Sequence, residues 1–228
     1  MRLSQAIREA KARGLTPVIA EVKARSPRDG DLLRGRDPGG LARAMVEAGA
    51  VAVSVVTEPQ FFGGSLRLLR KVRGAVSVPV LRKDFVREEG QVRDGGREGA
   101  DAILLISSIL GREGLARLLS ACASEGLEPL VEVHTTSEMG VANSLGAPLI
   151  GINNRDIRRL ETDGGDVGNT EALARLAHPG AVLVSESSIA TRGEVLRAIG
   201  AGADAVLVGT AVMRAEDPGE KVRELIGR

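Results

Sequence analysis

Eight short β-rich apolar runs recur along the chain about every 20–35 residues, with amphipathic segments between them. The runs cover residues 18–22, 51–55, 78–81, 102–106, 129–133, 149–152, 181–184 and 205–208. Helical patterns cover residues 38–48, 66–73, 88–98, 112–124, 136–145, 169–176 and 191–199, although Gly90, Gly95 and Gly96 weaken the third. Asp37-Pro38 and Thr191 are good helix starts, and Gly49, Gly126, Gly146 and Gly202 fall where helices should stop. Strands that are apolar almost throughout belong in a parallel sheet covered by helices on its outer face. Eight such βα units most simply close into a (β/α)8 TIM barrel in a single α/β domain. An open doubly wound sheet would prefer fewer strands and an early glycine-rich turn, and no G-x-G-x-x-G follows the first strand. A short helix over residues 3–13 precedes strand 1 and is placed to cover the barrel floor. The expected division is therefore a helical segment at 1–16 and a barrel at 17–228.

Composition excludes several classes. A net charge of +1 gives no electrostatic case for nucleic acid or a membrane surface. The longest apolar stretches are too short to span a bilayer, and residues 1–7 lack a signal segment, so the expected location is the cytoplasm. The lone Cys122 lies in a helical pattern and reads as a core filler. Only five of the 31 basic residues are lysine. Two of these, Lys23 and Lys83, have inward parity at strand ends, where a group able to exchange its proton can do chemistry that arginine cannot.

Strand parity makes a barrel testable, because catalytic groups belong at the C-terminal strand ends and on the inward face. On strand 1, Ile19, Glu21 and Lys23 share one face; on strand 3, Leu81, Lys83 and Phe85 do. Strand 5 pairs Leu130 with Glu132, strand 6 Gly151 with Asn153 and Arg155, and strand 7 Val184 with Glu186. Five strands thus aim ionisable or amide groups into one interior, where burial costs several kcal/mol unless they are paired or used. The turns after strands 7 and 8 are small and hydroxyl-bearing. Barrels often hold a phosphate there, so Ser187, Ser188, Gly209 and Thr210 form the candidate phosphate cradle.

In order along the chain, V-I-A-E-V-K-x-x-S-P, L-R-K-D-F, L-V-E-V-H, G-I-N-N-R-D, S-E-S-x-I and V-G-x-x-x-M-R resemble the indole-3-glycerol phosphate synthase family of tryptophan biosynthesis. The resemblance implies a (β/α)8 barrel that closes the indole ring of 1-(2-carboxyphenylamino)-1-deoxyribulose 5-phosphate. Carbon dioxide and water are released, with no cofactor and no metal. It implies Lys83 as general acid, Glu132 as its acid/base partner, and Lys23 in the same chemistry near the substrate carboxylate. Glu21, Asn153 and Glu186 hold substrate hydroxyls and tune these ions. Ser187, Ser188, Gly209 and Thr210 match the phosphate site, Phe62, Phe85 and Leu104 the aromatic-ring pocket, and Arg155 and Ser26 positions lining the site. The implied partner is a small phosphorylated substrate, with the chain a monomer or weak homodimer.

Three departures stand out. The family usually has Ser-Glu-Ser-Gly-Ile after strand 7, whereas Ser188 takes the glycine position here, so a left-handed turn would be strained and phosphate affinity affected. Only 16 residues precede Pro17, fewer than in members with a longer N-terminal cover. Residues 87–96 are glycine-rich and charged, which points to looser packing on that flank. Residues 24–37 read as a long, loosely packed lid loop, with Arg25 or Arg28 near the anion and its loss harmless to stability. His134 points outward by parity and carries no catalytic expectation. From the residues alone, a Schiff-base aldolase using Lys83 and a non-catalytic phosphate-binding barrel remain open.

Overall fold

The computed structural model describes residues 1–155 and 165–228. Asp156, the last residue of the sixth strand motif, lies outside them. Among the described residues, eight strands close a parallel barrel: β1 (Val18–Val22), β2 (Ala52–Val56), β3 (Val80–Lys83), β4 (Ala102–Ile106), β5 (Glu128–Val133), β6 (Leu149–Asn153), β7 (Val182–Glu186) and β8 (Ala205–Val208). Each pairs with its neighbours in chain order, and β1 closes the ring against both β2 and β8. Strands 2, 3, 6 and 7 end one to two residues later than the apolar runs, because the ladder continues through Val56, Lys83, Asn153 and Glu186. Lys83, Asn153 and Glu186 are thus inside the sheet rather than beyond it.

Helix α1 (Leu3–Ala12) precedes the barrel. Helices α2 (Pro38–Glu47), α3 (Leu66–Arg73), α4 (Glu89–Arg97), α5 (Ser107–Ser124), α6 (Thr136–Ser144), α7 (Gly168–Leu173) and α8 (Arg192–Gly200) each follow one strand, and α9 (Thr210–Arg214) and α10 (Pro218–Ile226) follow β8. The starts obey capping chemistry. Asp37, Ser65, Thr135, Thr191 and Asp217 each accept a hydrogen bond from a backbone N–H in the first turn. Gly111, at φ +61°, kinks α5 one turn after its start, which is why the regular pattern begins only at residue 112.

Apolar burial separates into two layers. Outward-facing strand residues such as Val53, Val55, Ile103, Leu105 and Val131 pack under the helices. Inward-facing Ile19, Ala52, Leu81, Leu104, Leu130, Leu149, Val184 and Leu207 fill the barrel, and Leu3 and Ile7 of α1 join them from below. Helix α1 therefore plugs the floor. Glu128, at the first position of β5, points down and accepts hydrogen bonds from the Ser4 backbone N–H at 2.8 Å and from Ser4 Oγ. That carboxylate also complements the positive N-terminus of α1.

Two sequence expectations are corrected. The glycine-rich flank is tightly packed: α4 has a capping box between Glu88 and Gln91, and a Cβ at Gly95 would lie 2.6 Å from Ile103 Cδ1. Gly95 is present because the helix lies against the barrel, not because the flank is loose. The loop after β1 is also anchored. Its residues 25–26 and 30–31 form a small antiparallel hairpin, Leu32 is fully buried, and the Arg36 guanidinium donates to the carbonyls of Leu32, Leu33, Met213 and Ala215. Deleting residues 28–35 would therefore remove a core side chain along with the lid.

Glu128→Ala should lower stability by about 1–3 kcal/mol, since it removes an acceptor that satisfies two donors at the start of α1. Thermal unfolding reads the loss, and turnover at room temperature should be unchanged because the substitution lies at the barrel end remote from the charged strand ends.

Candidate active site

The strand ends converge as parity requires. Glu21, Lys23, Glu132, Asn153 and Glu186 are each 4% exposed or less, and Lys83 is half-buried. Room for the carboxylates comes from small residues on adjacent strands. A Cβ at Gly151 of β6 would overlap Glu186 Oε1, and one just after β8, at Gly209, would overlap Glu21 Oε1. On the other side of β1, Ser54 Oγ of β2 donates to Glu21 Oε2 at 3.2 Å. Asn153 Nδ2 donates to Glu132 Oε1 at 3.0 Å, and Asn153 Oδ1 accepts from the Arg155 N–H at 2.9 Å.

Lys23 sits at a junction. Its Nζ lies 3.5 Å from Glu21 Oε1, donates to Thr210 Oγ1 at 3.0 Å, and is 5.8 Å from the centre of the Phe62 ring, within cation–π range. Two cavities meet at Glu21, Lys23 and Lys83. The larger, about 270 Å3, is bordered by Glu186, Ser187, Ser188, Gly209 and Thr210, with Arg28, Arg155 and Arg214 around its rim. The smaller is bordered by Phe62, Phe85 and Leu104 together with Val56, Glu58, Asp84 and Ile106, and holds about 30 Å3 of free space. That is room for roughly two waters. The free space between Phe62, Phe85 and Leu104 is therefore narrow.

Ser187, Ser188, Gly209 and Thr210, the residues expected to cradle a phosphate, border one cavity, and the strain foreseen for Ser188 is present. Ser187 and Ser188 have φ of +68° and +57°, left-handed values that disfavour a side chain by about 1–2 kcal/mol per residue. The Ser188 hydroxyl accepts from Arg155 Nε at 3.0 Å, which draws that guanidinium over the turn. Ser26 borders neither cavity; its Oγ accepts from the Arg28 N–H at 3.3 Å and shapes the loop. Of the two lid arginines, Arg28 faces the larger cavity, while Arg25 is held on the carbonyls of Gln60 and Phe61. His134 turns away from both cavities, with Nδ1 against the Asn153 carbonyl at 2.9 Å. Cys122 is fully buried in a helix, and burial pushes its thiol up to about 12, so it is inert.

Sequence reasoning passed over Glu58. This carboxylate, 6% exposed, accepts the N–H groups of Gln60, Phe61 and Phe62 at 2.8, 2.8 and 3.0 Å and so fixes the turn that puts Phe62 in the small cavity while Phe61 stays at the surface. Its parity with Ala52, Ser54 and Val56 was the available signal. A second unforeseen group lies behind Lys83 and Phe85. Arg82, 4% exposed, donates to Thr57 Oγ1 at 3.1 Å and to Asp84 Oδ2 at 2.7 Å, and Thr57 Oγ1 donates to the same carboxylate at 2.7 Å. These outward residues alternate with Lys83 and Phe85 and hold that strand end in place.

Comparison with known proteins gives the same answer at the level of the whole chain. The family model for indole-3-glycerol phosphate synthase matches residues 1–225. The chain belongs to the indole-3-glycerol phosphate synthase family. It is 46% identical over 224 residues to the indole-3-glycerol phosphate synthase of Pyrococcus furiosus, covering 98% of this chain and 96% of that one. The enzyme of the same name from Thermococcus kodakarensis is 45% identical with the same coverage. That of Haloarcula marismortui is 46% identical over 92% of this chain and 76% of its own. As a family member the chain is a carbon–carbon lyase, a carboxy-lyase of tryptophan biosynthesis acting on a small phosphorylated substrate. Among the described residues no helix is long and apolar enough to cross a membrane.

Glu186 is a strongly perturbed acid in this site. Burial, with Glu132 and Glu21 adding to it and Lys83 opposing, pushes its carboxyl up to about 8. Among the described residues neither carboxyl oxygen has a hydrogen-bond partner, nor does Glu132 Oε2. The folded protein keeps the Glu186 proton up to about pH 8, whereas the unfolded chain releases it near the ordinary carboxylate value of 4.5. Folding therefore takes up a proton in that window, and stability falls as pH rises through it. Glu186→Gln should remove this part of the slope. Unfolding titrations at pH 5 and pH 8.5 should find the variant gaining on wild type at the higher pH, and parallel curves would contradict the assignment.

Proposed function

We propose that ring closure on 1-(2-carboxyphenylamino)-1-deoxyribulose 5-phosphate runs across the junction of the two cavities, with Lys83 as general acid. The observation that carries this reading is the shared wall: Glu21, Lys23 and Lys83 border both cavities. The phosphate lies on Ser187, Ser188, Gly209 and Thr210, the aryl ring between Phe62, Phe85 and Leu104, and the ribulose carbons span the lysines. Arg155 closes the phosphate end, and Ser26 shapes the loop that covers it.

The chemistry then follows from electron flow. The aryl carbon bearing the carboxylate attacks the ketone carbon and a carbon–carbon bond forms. The carbonyl π pair moves to oxygen, which takes a proton from Lys83 and becomes a hydroxyl. The bond to the carboxylate breaks, its electron pair returns to the ring, and carbon dioxide leaves. The hydroxyl next departs as water after protonation, and a base takes a proton from the former methylene carbon to complete the indole double bond. Glu132 is the acid/base partner of Lys83 in this dehydration. Lys23, between the phosphate and ring ends, neutralises the substrate carboxylate until it is lost. Glu21, Asn153 and Glu186 hold the substrate hydroxyls; a protonated Glu186 has an O–H to donate that an ionised one lacks.

The same reading has the enzyme working without a cofactor, in the cytoplasm, as a monomer or weak homodimer. The large apolar side chains exposed among the described residues, Met1, Phe61, Leu176 and Leu196, are spread over four separate parts of the chain rather than gathered on one element.

Indole fluorescence is the direct assay, because the chain has no tryptophan to obscure it. Wild type should convert the ribulose phosphate to a fluorescent indole product. Lys83→Ala should lose ~10²-fold or more in kcat, the usual scale for a general acid. An undiminished rate in that variant removes Lys83 from the mechanism. A covalent adduct on Lys83 trapped by borohydride would replace acid catalysis with Schiff-base chemistry.

A further inference from the structure

We propose that Asn154 is a positioning residue for the phosphate cradle, holding Ser187 and Ser188 in their left-handed conformation from behind the barrel wall. The inference rests on the phosphate reading of that turn and adds a residue to which no role has been given. Asn154 is the second asparagine of Gly-Ile-Asn-Asn-Arg and, by parity, faces away from the site that Asn153 faces. It is 6% exposed.

Its side chain has no spare capacity. The Nδ2 group donates to Ser185 Oγ at 3.0 Å, to the Glu186 carbonyl at 3.0 Å and to the Ser187 carbonyl at 3.1 Å, so its two hydrogens are shared among three acceptors. Oδ1 accepts from both the backbone N–H and the hydroxyl of Thr170, at 3.0 and 2.9 Å. Thr170 is fully buried on α7, and its hydroxyl also lies 2.7 Å from Ser185 Oγ. The Asn154 backbone N–H donates to the Glu186 carbonyl at 2.9 Å as well. Asn154 thus ties the end of β6 and the start of α7 to two consecutive carbonyls of the turn after β7.

Those two carbonyls matter because a trans peptide is planar, with its N–H opposed to its C=O. Drawing the Glu186 and Ser187 carbonyls onto Asn154 turns the N–H groups of Ser187 and Ser188 away from it. Both residues border the larger cavity. Both also hold positive φ without being glycine, a state that persists only when its surroundings over-determine it. Glycine at 188 would adopt the same backbone unaided. Serine at 188 adds to the dependence on Asn154 that Ser187 already creates, and glycine at 188 should relieve that added part.

The test compares wild type, Asn154→Ala, Thr170→Val and the double variant Asn154→Ala/Ser188→Gly. KM for the ribulose phosphate, kcat, and the inhibition constant of inorganic phosphate are measured for each. Asn154→Ala should raise KM and the phosphate constant together by about tenfold, with kcat changed less than about threefold. Thr170→Val should do the same more weakly. Ser188→Gly in the Asn154→Ala background should recover part of the phosphate affinity, about threefold, which a merely lost core hydrogen bond would not allow. An unchanged phosphate constant in Asn154→Ala, or no recovery on adding Ser188→Gly, overturns the proposal. Should Asn154→Ala not fold, an unchanged phosphate constant in Thr170→Val overturns it equally. If inorganic phosphate does not compete with substrate in wild type, the phosphate reading itself falls, and this inference with it.

Discussion

Three glutamates and a lysine sit in the barrel mouth with almost no solvent contact, and the strands beside them supply the space. Glu21, Lys23, Lys83, Glu132 and Glu186 all come from odd-numbered strands or the residue after one. The inward positions of the even-numbered strands and the turn after β8 supply Ala52, Ser54, Gly151 and Gly209 instead. Large charged side chains lean sideways over small neighbours, so the carboxylate of Glu186 lies over Gly151 and that of Glu21 over Gly209. Without those gaps the interior could not hold so many ionisable groups in one layer. With Glu186 keeping its proton, one negative charge fewer has to be balanced in this layer, which limits the penalty of burying it.

Behind the charged layer, polar networks on the outer side of the wall hold the strand ends. Arg82, Thr57 and Asp84 brace the end of β3, and Asn154, Thr170 and Ser185 brace the turn after β7. Each is satisfied by its own members and by backbone groups, so neither leaves a buried partner unmet. The opposite end of the barrel has a different task. There α1 inserts Leu3 and Ile7 among the interior apolar residues, and Glu128 fixes its first turn. Stability and chemistry are thus assigned to opposite ends of the same strands.

Alternation on strands was the most legible property of this chain. Reading every second residue placed Ile19, Glu21 and Lys23 on one face, and did the same for Leu81 with Lys83 and Leu130 with Glu132. It would also have found Glu58 had strand 2 been followed past Val56. What stayed hidden depends on partners far along the chain. Arg36 anchors the loop after β1 on carbonyls at 213 and 215, and no local pattern announces that contact. Gly95 looked like a weak point in a helix, whereas its missing side chain is what lets α4 approach Ile103. Asn154 reads as an outward residue beside an important one, and its value lies in carbonyls more than 30 positions away.

The two cavities differ in readiness, and this orders the encounter with substrate. The cavity at Ser187, Ser188, Gly209 and Thr210 is already open, with three arginines around it, while the one at Phe62, Phe85 and Leu104 holds space for little more than solvent. Under the proposed placement the anion of the ligand meets open space and the ring meets a narrow one, so the energy of anion capture is available to widen the ring end. Contacts distant from the reacting carbons then help build the reactive arrangement instead of only tightening the complex. In that placement the phosphate, which takes no part in the bonds made or broken, becomes the lever that opens the place where they are.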